Sequence, residues 1–149
     1  MTLETNLTII PTGDGSKTLF NASLNETYHS RHGARAESMY VYIEQGLRHV
    51  VPGRTSVRIF EVGFGTGLNI WLSVGEAMRH PQAFFHAETV EPFPLSWDVV
   101  GDLNFFHNAA ETELARAMHA AVWDEPVMLL PNFRLIKRQT TVLDAPVTP

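Results

Sequence analysis

Ile59-Phe60-Glu61-Val62-Gly63-Phe64-Gly65-Thr66-Gly67-Leu68-Asn69 decides the fold of this chain. An apolar run ends in an acid, passes into glycine at every second position, and then enters a helix start. A buried strand that breaks into Gly-x-Gly-x-Gly lets the main chain approach a ligand closely, because no Cβ stands in the way. The spacing discriminates among ligands. A dinucleotide fingerprint, Gly-x-Gly-x-x-Gly, would put its third glycine at Leu68, whereas the third glycine here is Gly67. A phosphate-binding P-loop needs a Lys-Ser/Thr pair after its last glycine, and this chain has Leu68-Asn69. The pattern argues for a different nucleoside-bearing cofactor.

Working outward, Ala83–Val90 reads as a second strand, and Glu91 follows it 24 residues past Gly67, close to the spacing of an adjacent βαβ unit. Between the two, Leu68–Arg79 offers Ile70, Leu72, Val74 and Met78 as the apolar positions of a helix, with Pro81 as its stop. Glu61-x-Gly-x-Gly-x-Gly resembles the first motif of the class I S-adenosylmethionine (SAM) methyltransferases. That resemblance implies a glycine turn facing the methionine end of SAM and a second acid, Glu91, accepting hydrogen bonds from the ribose hydroxyls.

The 149 residues fit one chain-length domain, with 44% apolar residues to build a core. No apolar run approaches a membrane span, and Met1–Asn6 lacks the basic-then-apolar order of a leader. With no cysteine, disulfides and thiolate metal sites are excluded, and a cytoplasmic setting is expected. His29 and His32 have no carboxylate arrangement beside them, so no metal is expected. Net charge is −5, which disfavours bulk attraction to nucleic acid. The charge is uneven: residues 1–60 carry six basic and five acidic groups, and residues 61–149 carry five and eleven. Arg31, Arg35, Arg48, Arg54 and Arg58 all lie in the first part, where a polyanion would meet the chain or where they form an ordinary solvated face.

Ahead of the cofactor unit, Thr8-Ile9-Ile10, a turn cluster Pro11–Gly15 and Thr18-Leu19-Phe20 predict a β-hairpin. From Ala34 a helix is predicted with Ala36, Met39, Ile43, Leu47 and Val50 as its buried stripe, ended by Pro52-Gly53. After Glu91, helices are predicted over Leu95–Leu103 and over Ala109–Val122, the latter with Leu114, Met118, Ala121 and Val122 inward. Pro126 and Pro131 are read as bracketing a turn, and Phe133–Thr140 as a third strand. Two units are expected, a hairpin-and-helix extension over 1–54 forming a lid and a partial Rossmann-like unit over 55–149.

Several segments beyond the glycine motif are distinctive. They are Asp14-Gly15-Ser16-x-Thr18-Leu19-Phe20-Asn21, Glu26-x-Tyr28-His29-Ser30-x-x-Gly33-Ala34-x-x-Glu37-Ser38-x-x-Val41-Tyr42, and Glu91-Pro92-Phe93-Pro94-Leu95. Together with Phe60–Asn69 they resemble the tRNA methyltransferase family that includes the MnmC methyltransferase domain and the stand-alone MnmD enzymes, over residues 14 to 95. The resemblance implies an α/β fold, the amino-terminal part of a class I SAM-methyltransferase preceded by the hairpin and helix. It implies SAM-dependent methylation of the 5-aminomethyl group of a modified wobble uridine in tRNA, giving 5-methylaminomethyl-2-thiouridine. Cofactor contacts are then expected at Glu61, Gly63, Phe64, Gly65, Thr66, Gly67, Asn69, Glu91, Pro92 and Phe93. Substrate or lid roles are expected at Asn21, Tyr28, His29, Ser30 and Glu37. Bland readings stand beside these: Tyr28 as a packed ring, His29 as a surface histidine, and Glu37 as an acid favoured by the helix macrodipole.

The chain departs from that family in its later part. The family's fourth strand ends in Asp-Ala-Phe or Asp-Gly-Phe and supplies a catalytic carboxylate. Asp144-Ala145-Pro146 follows no fresh apolar run and is rejected as its equivalent, so no general base is assigned. Relatives carry an acid just after the third strand, where this sequence has Gln139-Thr140-Thr141. With three core strands in the family's order 3-2-1-4-5-7-6, strand one would be a bare edge, open to homo-oligomerisation, and the chain is expected to be a piece of a longer enzyme. Two alternative functions follow. One is a catalytically incomplete SAM-binding or partner-binding fragment. The other is a component of the CH–NH oxidoreductase activity that a fused flavin enzyme supplies in some family members, with a flavin oxidoreductase as partner.

Overall fold

The computed structural model of the chain describes residues 6–146; Met1–Thr5, within the stretch read for a leader, and residues 147–149, at the end of the expected second unit, lie outside the described residues. The fold begins with a hairpin of β1 (Leu7–Pro11) and β2 (Lys17–Asn21), paired antiparallel with Leu7 opposite Asn21 and Pro11 opposite Lys17. A short β3 (Glu26–Thr27) adds to β2 and makes the hairpin a three-stranded sheet. The turn is held by Asp14, whose carboxylate accepts hydrogen bonds from Thr12 Oγ1, the Ser16 amide and hydroxyl, and the Ala36 amide. Burial opposes its charge, but the bonds from Ser16, Ala36 and Thr12 outweigh it and hold the carboxyl below the usual carboxylate range. One acid thus closes the turn and caps the helix that follows.

That helix differs from the expected one. It runs as α1 (Ala34–Ser38), then nine residues of π-helix over Met39–Leu47, then α2 (Arg48–Val50). Its buried positions are Ala34, Ser38, Ile43 and Val51, with Met39 and Leu47 half-buried, while Ala36 and Val50 are exposed. The i→i+5 bonding of a π-helix takes more residues per turn than α geometry, so the inward stripe falls at wider intervals than the predicted three-and-four spacing.

The main sheet has the order β4-β5-β7-β6. β4 (Ser56–Val62), β5 (Phe84–Val90) and β7 (Phe133–Arg138) are parallel, with Ile59 opposite Ala87 and Ala87 opposite Leu135. This is the expected side-by-side order of three core strands, the Rossmann-like part of a mixed α/β fold. β6 (Pro126–Leu130), antiparallel to β7, replaces the predicted turn. The prolines bracket a strand because Pro126 sits at the first position of an edge strand, where a missing N–H is tolerated, and Val127–Leu130 is an unbroken apolar run. β7 also stops at Arg138, two residues before the predicted end.

The crossover helix α3 (Leu68–Arg79) buries Leu68, Ile70, Trp71, Leu72, Val74 and Ala77, whereas Met78 is 52% exposed rather than inward. Helix α3 packs on the sheet and is covered by α1 and the π-helix, so much of its circumference is apolar. Even Glu76 is buried, paired with Arg48 at 2.8 Å. α4 (Trp97–Gly101) is shorter than predicted, and α5 (Ala109–Ala120) is capped by Asn108, whose side chain accepts from the Glu111 amide. Ala115 and Met118 face inward from α5, Leu114 is half-buried, and Val122 lies past the helix end and is exposed. A single apolar core joins Leu19, Ala34 and Ile43 of the first part to Phe85, Leu103, Met118, Phe133 and Leu135. Among the described residues no helix is long and apolar enough to cross a membrane.

The sheet is dressed on one face. Val57, Phe85, Ala87, Phe133 and Leu135 are buried, while the alternate residues Arg58, Phe60, His86, Glu88, Arg134, Ile136 and Arg138 line a broad cavity of about 840 Å³ bordered by Val142, Ala145 and Pro146. Among the described strands β4 pairs with β5 alone, so it forms the edge of the sheet, with Phe60 and Val62 exposed.

Candidate functional site

Where β4 ends, the chain turns through Gly63, Gly65 and Gly67, all at positive φ. Two of these glycines serve different ends. A Cβ on Gly63 would meet nothing within 4 Å, so its absence leaves main chain bare to solvent and ligand. A Cβ on Gly67 would stand 2.8 Å from His119 Nε2 and 2.9 Å from Met118 Cε and Phe64 Cζ, so its absence is a packing requirement. Gly67 also bonds back to the Phe64 carbonyl at 2.7 Å and opens helix α3.

The turn forms the floor of a pocket of about 290 Å³. Tyr28, His29 and Glu37 of the amino-terminal part line it together with Gly63, Phe64, Gly65, Thr66 and Asn69. His29 is placed by β3 and the strand beside it: its amide donates to Thr18 Oγ1 at 3.0 Å, and its Nε2 lies 2.7 Å from Thr66 Oγ1. Burial lowers the His29 pKa, against the charge of Glu37, and keeps the ring neutral at pH 7. The Tyr28 ring lies over Gly65, and burial with the nearby Glu91 charge raises its phenol further. Glu37 accepts the Ser30 amide at 2.9 Å, tying the loop before α1 to the helix.

Beneath the turn the two strand-end acids are handled differently. Glu91 spends one oxygen on the Gly65 amide, 2.9 Å, and the other on the Phe93 amide, 2.8 Å. It therefore ties the glycine turn to the loop after β5, and a carboxylate has lone pairs for further donors. Glu61 accepts from Thr89 Oγ1, 2.8 Å, and the Asn69 side chain also favours its charged form through a hydrogen bond; its Oε1 is buried with no partner of good hydrogen-bond geometry, as is Asn69 Oδ1. Burial, with the Glu91 charge adding to it, pushes the Glu61 carboxyl up to about 7, only partly offset by Thr89 and Asn69. Two buried acceptors without donors, under bare glycine backbone, call for a cationic or N–H-bearing group.

Glu61 and Glu91 adjoin the turn without lining the pocket, and other residues expected at the site are spent elsewhere or flank it. Asn21 is buried, but its side chain accepts the amides of Ser23 and Leu24 and closes the turn after β2. Ser30 takes the His32 amide at 3.2 Å outside the pocket lining. Pro92 is half-buried and Phe93 is 60% exposed beside Glu91. Conversely, Ser38, Val41 and Tyr42 line the pocket although none of the three is among the residues expected there. Their signal was the Ser38-x-x-Val41-Tyr42 tail of the distinctive segment, hidden by reading the helix at α spacing.

Among curated proteins, a "tRNA 5-methylaminomethyl-2-thiouridine biosynthesis bifunctional protein MnmC" of Paracidovorax citrulli is 36% identical over 111 residues, covering 71% of this chain and 17% of the relative. A protein of the same name from Thiobacillus denitrificans is 31% identical over 121 residues, covering 78% of this chain and 19% of the relative. The chain is an MnmC-like domain. It spans less than a fifth of the length of these curated relatives. The crystal structure of MnmC2 from Aquifex aeolicus shares its fold, with a TM-score of 0.69 and 24% identity, over 88% of the MnmC-like chain and 41% of that structure. No protein-family model matches.

Proposed function

We propose that the MnmC-like domain uses SAM to methylate the 5-aminomethyl group of a modified wobble uridine in tRNA, giving 5-methylaminomethyl-2-thiouridine. The observation that supports this best is the strand-end pocket, lined by Asn69 and the glycine turn and walled by Tyr28, His29 and Glu37, with the unpartnered Asn69 Oδ1 in its lining and the unpartnered Glu61 Oε1 buried on the strand that leads into the turn. These residues fit SAM: Glu61 and Asn69 would accept from the ammonium of its methionine part, the bare Gly63 backbone would lie against it, and Glu91 would use its spare lone pairs on the ribose hydroxyls. When bound, SAM supplies a methyl group on a sulfonium, open to in-line displacement by an amine.

The chain's own work is to position and to exclude water. Glu91 fixes Gly65 against the loop at Phe93, neutral His29 holds the Thr66 hydroxyl, and Glu37 pins Ser30 at the pocket's outer wall. Tyr42 and Val41 complete that wall from the π-helix. The amine substrate would come from an oxidative step on tRNA, carried by a flavin oxidoreductase partner in the cytoplasm.

Calorimetric titration with SAM, followed by transfer of labelled methyl to tRNA isolated before this step, tests the reading. Saturable binding and label on tRNA are the expected results; no binding overturns it. Binding without transfer would favour a second reading, a SAM-binding fragment that needs a further polypeptide. The undressed sheet face and the single-neighboured β4 support that second reading, since parallel sheets are ordinarily covered on both faces.

A further inference from the structure

A buried polar cluster stands outside the pocket lining, and the proposed chemistry does not use it. His119, in the last turn of α5, brings Nε2 within 3.1 Å of the Thr66 carbonyl. Lys137 of β7 donates Nζ to the carbonyl of the same His119 at 2.5 Å. Lys137 is 1% exposed, and its ammonium lies 4.6 Å from the centroid of the Trp123 ring and 5.4 Å from that of Phe64. The His119 ring packs on Phe64 at 5.0 Å and on Trp97 at 5.5 Å.

A buried ammonium is costly unless compensated, and a methionine or leucine would fill the space without that cost. Here the compensation comes from the carbonyl end of α5 and from two ring faces. All three lead to the glycine turn. The carbonyl belongs to the residue whose ring reaches Thr66, Phe64 is itself a turn residue, and Trp123 packs edge-on against Phe64 at 6.1 Å.

We infer that His119 and Lys137 are positioning residues for the cofactor turn: the ammonium pins the end of α5, and the imidazole of His119 thereby holds the Thr66 carbonyl and the neighbouring Gly67 in place. This rests on the reading of the turn as the SAM site. Burial, with the Lys137 charge, lowers His119 to about 4, so the ring is neutral and donates through Nε2; burial lowers Lys137 to about 8, which leaves it charged at pH 7.

The test compares the wild-type chain with His119→Leu, His119→Gln and Lys137→Met. Two measurements are made: calorimetric binding of S-adenosylhomocysteine, and amide hydrogen exchange without ligand. His119→Leu and Lys137→Met should each weaken binding about tenfold and speed exchange over residues 64–68 about tenfold, the effect of one lost buried hydrogen bond. Exchange over residues 84–90 of β5 should not change. His119→Gln, whose amide can still donate to Thr66, should stay within about threefold of wild type. The inference is overturned if exchange over 64–68 is unaltered in both lossy variants, if Gln falls as far as Leu, or if β5 loosens in step with the turn. Should one lossy variant not fold, the other carries both measurements. Should the wild type bind no S-adenosylhomocysteine, the SAM reading fails, while the exchange data still decide whether this cluster holds the turn.

Discussion

Replacing Glu61 with glutamine isolates the strand-end acid. Burial pushes that carboxyl from its ordinary value of 4.5 up to about 7. Between those two values the folded chain keeps a proton that the unfolded chain has released, so the wild type loses stability as pH rises across the window. Each pH unit within it costs about 1.4 kcal/mol, which brings the whole loss to about 3 kcal/mol by pH 8. The glutamine amide does not titrate and can still accept from Thr89. Urea melts of both proteins at pH 5 and pH 8 read the difference. With a slope of about 2 kcal/mol/M for a chain of this size, the midpoint of Glu61→Gln relative to wild type should rise by about 1.5 M between the two pH values. Every other titrating group is common to both proteins and cancels. An identical midpoint gap at pH 5 and pH 8 would refute the reasoning, because it would mean that the carboxyl is solvated and that no unpaired acceptor lies beneath the turn.

Three further outcomes are expected. Pairing of the Glu61 carboxylate with an ammonium should release about half a proton per S-adenosylhomocysteine bound at pH 7, read as buffer-dependent calorimetric heats, and Glu61→Gln should abolish the release. Gly63→Ala and Gly67→Ala should part company. The first costs about 1 kcal/mol of stability for its positive φ and places a methyl in the open pocket, so binding suffers most; the second adds the collision with His119, Met118 and Phe64 and costs about 3 kcal/mol in a thermal or urea melt. Glu91→Ala should weaken SAM binding by about 1.5 to 3 kcal/mol, since the Gly65 and Phe93 amides lose their shared acceptor along with any ribose contact; an unchanged dissociation constant would remove Glu91 from the site.

The βαβ unit was legible because its signals are local: an apolar run, a glycine turn, Pro81 after the helix and an acid closing the next strand. The hairpin was legible for the same reason, through Gly15 and Asp14. What sequence reading missed depends on geometry or on distance. The π-helix has no α period to find, so α spacing points Ala36 and Val50 inward while Ser38 and Val51 are the buried residues. β6 was hidden by prolines that break helices and central strands yet suit the ends of an edge strand. At the site, Tyr28, His29 and Glu37 were expected near the glycine turn and line the same pocket with it, whereas Asn21 spends its side chain on its own turn. His119 reaches Thr66 across 53 residues and Lys137 reaches His119 across 18, and no local pattern announces either contact.

The loosely wound stretch Met39–Leu47 has a consequence for how this pocket is retuned. A π-helix holds slack that an α-helix lacks, and removing a single residue from it would let the coil tighten and swing one flank against the other by about 100°. Val41 and Tyr42 would then leave the pocket wall, though every side chain remained what it was. Chain length, rather than composition, is the dial that sets this wall.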